Sequence, residues 1–266
     1  MSLPTIVSFW HGPMSWLEAL SIASFQRQGH NVEIYAYAPI VGAPDNIVLR
    51  DASEILPLDQ MVFYKGKGTP GVFSDRFRLC LLKQGRGLYS DLDVYCVRPF
   101  ADLPAYVMGY ERSGSVNNAI LMMPPDAPLL DDLLSVFGLD RRPLFEPHLP
   151  FGRRLEVALR RLLGDRVPPE HMQFGATGPF ALTHFMKQRD LLAWVQDEAV
   201  FYPVPYEAIP ALMRAGSSID SAVGAKTLAV HLWRSQLTDR GRAGLPAPDA
   251  GSALAELCRR EGIRYS

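Results

Sequence analysis

Asp91 and Asp93 close an apolar run, Leu88-Tyr89-Ser90-Asp91-Leu92-Asp93-Val94. Carboxylates in such a place are costly to bury unless a cation or a set of hydrogen-bond donors meets them. Mg²⁺ or Mn²⁺ takes one or two carboxylates and fills the rest of its shell with water and phosphate oxygens, so this pair suffices where the ligand is a diphosphate. A bare Asp-x-Asp also arises by chance. Its neighbours therefore have to decide.

The elements that must position the pair supply a second observation. A helix of about eleven residues from Ser74 climbs roughly 16 Å, and a strand of about five residues returns a similar distance, so the strand ends near the helix start. Asp75 and Arg78, neighbours at i and i+3 on that helix, then share an edge with Asp91 and Asp93. Open α/β sheets bind ligands at the carboxyl ends of their strands. In that position Arg78 suits a phosphate and Asp75 a ribose or sugar hydroxyl.

The rest of the chain reads as the frame for this edge. Residues 5–9 are a β-branched and aromatic run before the turn Gly12-Pro13, and residues 31–37 alternate as a second strand. Between them Ser15-x-x-Glu18 has capping-box form, apolar residues recur through Leu17, Leu20, Ile22 and Phe25, and Gly29 stands where a helix stops. Strand, helix and strand at this spacing open a parallel sheet covered by helices. Residues 65–71 read as a glycine-rich loop, 74–84 as a helix broken at Gly85 and Gly87, and 88–91 as a strand. Residues 106–110, 119–123 and 227–232 read as further strands, and 129–137, 153–163 and 252–260 as further helices. Residues 238–251 read as a surface loop. The pairs Arg153-Arg154 and Arg160-Arg161 read as a solvated helix face.

Composition excludes some classes. The 266 residues are 48% hydrophobic and 21% charged, a globular balance that builds a sizeable core. A formal charge of −1 argues against nucleic acid, which needs clustered excess basic charge, and leaves pairs such as Arg141-Arg142 as local docking points. Three cysteines without a Cys-x-x-Cys spacing suggest neither a disulfide framework nor a zinc site, and fit a reducing compartment. The start lacks a basic stretch followed by a long apolar one, and no run of about 18 apolar residues occurs. The expectation is a cytoplasmic protein without a transmembrane segment, in which any membrane contact is peripheral.

The segment Phe73-Ser74-Asp75-Arg76-Phe77-Arg78, then Leu81-Leu82, then Gly85-Arg86-Gly87-Leu88-Tyr89-Ser90-Asp91-Leu92-Asp93, resembles the DXD region of a glycosyltransferase superfamily. That group includes fungal α-mannosyltransferases, α-1,4-galactosyltransferases, bacterial capsule and lipooligosaccharide enzymes and the glucosylating domains of clostridial toxins. The resemblance implies a GT-A-like α/β fold with a mostly parallel central sheet flanked by helices, Mn²⁺ or Mg²⁺ as cofactor, and transfer with retention. It matches Asp75 and Arg78 to nucleotide-sugar contacts, and Asp91 and Asp93 to the metal pair. Phe9-Trp10-His11-Gly12-Pro13 resembles the loop that meets the nucleotide base, with Trp10 as stacking partner. Asn117-Asn118-Ala119-Ile120 resembles the segment facing the donor sugar. Val230-His231-Leu232-Trp233 resembles the closing motif, which implies His231 as third metal ligand and Trp233 as a nucleotide contact. Bland alternatives stand beside these: a core histidine, packed aromatics, an asparagine turn. Arg86 departs from the usual Gly-Gly, which bears on the turn unless Gly85 supplies φ > 0.

The resulting expectation is one domain over residues 1–266, with a nucleotide-sugar half at 1–100 and an acceptor half at 101–266. It transfers a sugar from a UDP-sugar, or secondarily a GDP-sugar, to a hydroxyl of a glycan or other acceptor. No catalytic nucleophile or base is assigned. The rivals are a binding module without turnover, which the Arg86 departure keeps open, and a metal-dependent phosphohydrolase, which needs a denser His and Asp cluster than the sequence shows.

Overall fold

The computed structural model describes residues 3–64, 68–137, 146–165, 167–238 and 244–265. Arg141-Arg142 and parts of the two loops expected at 65–71 and 238–251 lie outside them. The elements run β1 Ile6–Phe9, α1 Trp16–Arg27, β2 Val32–Ala36, β3 Val48–Asp51, α2 Gly71–Lys83, β4 Leu88–Ser90, β5 Val94–Cys96, β6 Val107–Arg112 and β7 Ser115–Met122. They continue with α3 Pro128–Ser135, α4 Phe151–Leu162, α5 Pro179–Gln188, α6 Glu198–Phe201, β8 Ala229–His231, α7 Arg234–Leu237 and α8 Ala253–Arg260.

Six strands form the central sheet in the order β3-β2-β1-β4-β7-β6. The first four are parallel, and β7 and β6 join antiparallel. The expected α/β fold with a mainly parallel sheet between helices is therefore what the chain adopts. Successive side chains point to opposite faces. Ile6, Ile34, Leu88 and Ile120 pack on one face with α1 and α8, while Val7, Tyr35, Tyr89 and Leu121 pack on the other with α2, α3 and α5. β1 and β4, buried on both faces, need no polar alternation and read as apolar runs, whereas β2 alternates through Glu33.

Local chemistry fixes several boundaries. The Ser15 cap of α1 is a full capping box, with Ser15 and Glu18 each answering the other's backbone amide. Helix α2 starts at Gly71, directly after Pro70, earlier than the Ser74 start expected, and still descends into β4 as the lengths require. Between them Gly85 has φ +64° and Gly87 φ +149°, while Arg86 has no positive φ. Gly85 therefore takes the left-handed position, and Arg86 turns outward to Gln84 and Glu54.

Two strands escaped the sequence reading. β3 is exposed at all four positions, so it carries no apolar pattern and is held by its ladder to β2. β5 follows the Asp91-Leu92-Asp93 turn at once and leaves the central sheet. It pairs antiparallel with β8 as a separate two-stranded ribbon, aligning Val94 with His231.

The link from α2 into β4 is tight enough to test. A Cβ on Gly87 would lie 2.3 Å from the Thr5 carbonyl oxygen, in the backbone where β1 and β4 pair. Gly87→Ala is expected to cost roughly 3 kcal/mol of unfolding free energy. A denaturant titration showing a loss below about 0.5 kcal/mol would mean that the Thr5 carbonyl moves aside without penalty.

Candidate metal centre and its supporting network

Asp91 stands at the carboxyl end of β4, and Asp93 immediately precedes β5. The turn between them thus bridges the central sheet and the ribbon. The ribbon delivers His231 from 138 positions away, with Nε2 3.1 Å from Asp93 Oδ1, and Leu232 N donates to the Asp93 carbonyl at 2.7 Å. Ligand atoms of Asp91, Asp93 and His231 lie within 4.8 Å of one another. Opposite ligands of a six-coordinate ion with bonds near 2.1 Å stand about 4.2 Å apart, so small rotations bring these atoms onto one ion. Two carboxylates and an imidazole suit a divalent cation.

Each carboxylate has a distinct environment. Asp91 accepts from the Tyr89 hydroxyl at 2.8 Å and lies 3.2 Å from an Arg78 nitrogen. Burial pushes its pKa up, against the pull of Arg78, and the negative charge of Asp93 adds to the rise. For Asp93 burial also favours the protonated form, but His231 and the Arg234 amide, which donates to Oδ2 at 2.8 Å, hold its pKa below the usual carboxylate range. The pair therefore offers one firmly ionised acid and one that protonates more readily.

His231 is buried, and its Nδ1 has no hydrogen-bond partner among the described residues. Its ring packs on Trp233, 4.3 Å between centroids, and edge-on to Tyr202 at 5.7 Å. A metal ligand commonly donates its second ring N–H to an acceptor. Binding through Nε2 would place the proton on Nδ1 without one, which makes His231 the weakest of the three donors.

Arg78 is the hub of the supporting network. Its guanidinium reaches Asp91, the Asn118 carbonyl at 2.7 Å, Ser74 and, at 3.4 Å, Asp75, and it lies over the Tyr89 ring. Burial opposes its charge, yet Asp91, Tyr89 and Asp75 together hold it protonated. Asp75 in turn accepts from Asn118 Nδ2 at 2.9 Å and from Thr177 at 2.7 Å. Gly178 closes over this corner, where a Cβ would lie 2.8 Å from Asn118 Nδ2 and 3.0 Å from Asp75. Asp75 and Arg78, two of the residues expected to touch the donor, are 8% and 5% exposed and are bonded to their neighbours within the site.

The other expected residues separate. Asn117 and Asn118 are consecutive on β7 and point to opposite faces. Asn118 joins Asp75, whereas Asn117 is bound to Glu111 at 2.6 Å and to Tyr202 at 3.2 Å. Trp233 is buried against His231, Tyr202 and Tyr206. Trp10 is half-buried at the end of β1, and the Arg234 guanidinium lies 5.9 Å from its ring.

Glu18, Ser15, Tyr89, Thr177, Tyr202 and Arg234 were not foreseen as parts of the site. Trp233 takes a left-handed backbone, φ +37°, which turns the Arg234 amide toward Asp93. The Arg234 side chain pairs with Glu18, fully buried, and with Ser15 at 3.1 Å. The capping-box acid of α1 therefore also anchors the residue whose amide holds Asp93. Removing such a partner leaves a buried charge uncompensated, at a cost of about 3–5 kcal/mol. Nothing local ties Thr177 to Asp75, 102 positions earlier.

The sequence matches no known protein family, and no curated protein matches it. Among solved structures, one titled "PaToxG Glycosyltransferase" is similar at TM-score 0.43 and 17% identity, over 70% of this chain and 71% of that one.

The donor set predicts its own titration. The purified protein should bind Mn²⁺ at one site, followed by loss of the free-ion paramagnetic resonance signal. Asp93→Asn should weaken it on the order of tenfold to a hundredfold, and His231→Gln by less. Affinity should fall as the solution is acidified, because Asp91, with its raised pKa, takes up a proton before Asp93 does. Unchanged binding in Asp93→Asn would place the ion elsewhere.

Proposed function

We propose that this chain is a metal-dependent glycosyltransferase that moves a sugar from a nucleoside-diphosphate sugar, UDP-linked before GDP-linked, to a hydroxyl of a glycan or other acceptor. The observation that carries the reading is the convergence of Asp91, Asp93 and His231 at the carboxyl edge of a mainly parallel sheet. That is where such sheets receive ligands. The DXD resemblance of residues 73–93 supports the same reading.

Asp93 and Asp91, with His231, would hold Mn²⁺ or Mg²⁺. The ion supplies positive charge to a diphosphate as it departs. Asp93 keeps its charge through the Arg234 amide and His231, so it is ready to ligate at neutral pH. Arg78 and Tyr89 fix the direction of Asp91. Asp75, Asn118, Thr177 and Gly178 shape the floor beside it, and Trp10 offers an aromatic face at the end of β1. In transfer with retention, the bond between the sugar's anomeric carbon and the phosphate oxygen breaks. The acceptor oxygen bonds to that carbon on the same face, and its proton passes to the departing diphosphate. No side chain is assigned as nucleophile or base.

Two observations bear on the rivals. Gly85 supplies the left-handed residue at the turn, so Arg86 leaves the turn before Asp91 intact and the main ground for an inactive binding module falls away. Among the described residues the Asp91, Asp93 and His231 group is the one metal-ligating cluster of three or more, whereas a hydrolase of the two-metal type needs more ligands. Among the described residues no helix is long and apolar enough to cross a membrane, and Cys80, Cys96 and Cys258 are free.

Incubation with Mn²⁺ and a panel of UDP- and GDP-sugars should release free sugar slowly from one donor. Asp93→Ala should lower that rate by on the order of a thousandfold or more while leaving the thermal unfolding midpoint within a few degrees. Release of inorganic phosphate instead of sugar would make the chain a hydrolase, and tight binding without either would make it a binding module.

A further inference from the structure

A further carboxylate, Glu111, stands at the ligand-receiving edge of the sheet. β7 is antiparallel to both of its neighbours, so β6 runs parallel to β4 and ends at the same carboxyl edge as Asp91. Glu111 lies at that end of β6. The ladder there steps from Tyr110 opposite Val116 to Arg112 opposite Ser115, so Glu111 is the extra residue of a β-bulge. Bulges re-aim a side chain and recur beside active sites.

Its bonds fix the side on which it lies. Asn117 Nδ2 donates to Glu111 Oε2 at 2.6 Å, and the Tyr202 hydroxyl donates to Asn117 Oδ1 at 3.2 Å. Tyr202 can lie there because Gly109 has no side chain: a Cβ at Gly109 would stand 3.2 Å from the Tyr202 ring. The same ring packs on His231, 5.7 Å between centroids, and on Trp233. Glu111 therefore shares a wall with His231, set off from it by the Tyr202 ring and the Asn117 amide. Burial pushes the Tyr202 phenol's pKa up, and the charges of Asp91 and then Glu111 push it the same way, which places both carboxylates within electrostatic reach of one hydroxyl.

The charge on Glu111 is not answered within the protein. Among the described residues its partners are two neutral donors, Asn117 and, at 2.8 Å, the Ser115 hydroxyl, and it joins no ion pair. Two such bonds fix the direction of a carboxylate and leave acceptor sites free, since it has about four. Glu111 is also only half-buried, so a ligand can reach those sites.

We infer that Glu111 is a specificity-determining residue of the donor site, accepting hydrogen bonds from hydroxyls at the end of a transferred hexose that lies away from the diphosphate. The inference rests on the glycosyl-transfer reading of the metal centre and deepens it. A sugar joined to a metal-bound diphosphate extends away from Asp91 and Asp93, and the Tyr202 wall leads from His231 to Glu111. Hydrogen bonds to a fixed, charged carboxylate are stronger than neutral ones, and its charge repels a second carboxylate. The substrate class is thus a neutral hexose with free hydroxyls, and a uronic acid is refused.

The test is calorimetric binding, in Mn²⁺, of matched sugar nucleotides: UDP-glucose with UDP-glucuronate, UDP-galactose with UDP-galacturonate, GDP-mannose with GDP-mannuronate, and UDP and GDP as sugar-free controls. At least one neutral hexose nucleotide should bind the wild type on the order of tenfold more tightly than its uronate counterpart. Glu111→Gln should erase that difference while its affinities for Mn²⁺ and the free diphosphate, and its thermal unfolding midpoint, stay unchanged. A residue that merely pins the hairpin of β6 and β7 would instead move stability and diphosphate affinity and keep the preference between sugars. That result, or a wild type that takes uronates as tightly as neutral hexoses, would overturn this inference and leave the metal centre's reading standing; the second comparison needs no variant. A wild type that binds Mn²⁺ but none of the nucleotides would remove both.

Discussion

A carboxylate withdrawn from water must be met by positive charge or by donors, and the centre of this molecule is organised around that requirement. Asp91 is met by Arg78 and Tyr89, Asp93 by His231 and the Arg234 amide. Those partners impose requirements of their own. Arg78 needs Asp75 and the Asn118 carbonyl, Asp75 needs Thr177, and Arg234 needs Glu18 at the start of α1. Following these needs outward passes through both layers of helices and both sheets. The cluster is thus a polar seam through the core in which most parts rely on one another, while His231 Nδ1 has no partner among the described residues.

The seam also explains the asymmetry between the two acids. Asp91 belongs to the central sheet and faces an arginine that it shares with other acceptors. Asp93 belongs to the ribbon and has a backbone amide and an imidazole to itself. One acid is held ionised and the other is left more easily protonated. Should a divalent ion bind as proposed, one ligand would be committed and the other adaptable.

The parts of this arrangement that sequence made legible are those with a short physical period. The first strand, the capped helix, the second strand and the run into Asp91 each show their pattern within a dozen residues, and they lie where that pattern requires. β3 was hidden because Val48, Leu49, Arg50 and Asp51 are all exposed and so show no alternation. β5 was hidden because the two acids looked like the end of a strand, when a second strand begins just beyond them at Val94. Asn117 and Asn118 read as a unit, but the pleat sends them to opposite faces. The contacts from Glu18 to Arg234 and from Thr177 to Asp75 join residues far apart in the chain, and no local periodicity announces them. For α4 the period was readable and the direction was not: Val157 is buried while Leu155 and Leu159 are exposed, since amphipathicity states that a helix has two faces without stating which one meets the protein.

The ribbon of β5 and β8 has a bearing on how the protein is made. β8 begins at Ala229, so a nascent chain already carries both acids long before the strand that completes their surroundings leaves the ribosome. Ordering so distant a pairing closes a very long loop, which is slow and comes late in folding. Until then the acids have neither imidazole nor Arg234 amide beside them. A translation product that stops before β8 would therefore hold the two acids without the imidazole and the amide that answer them.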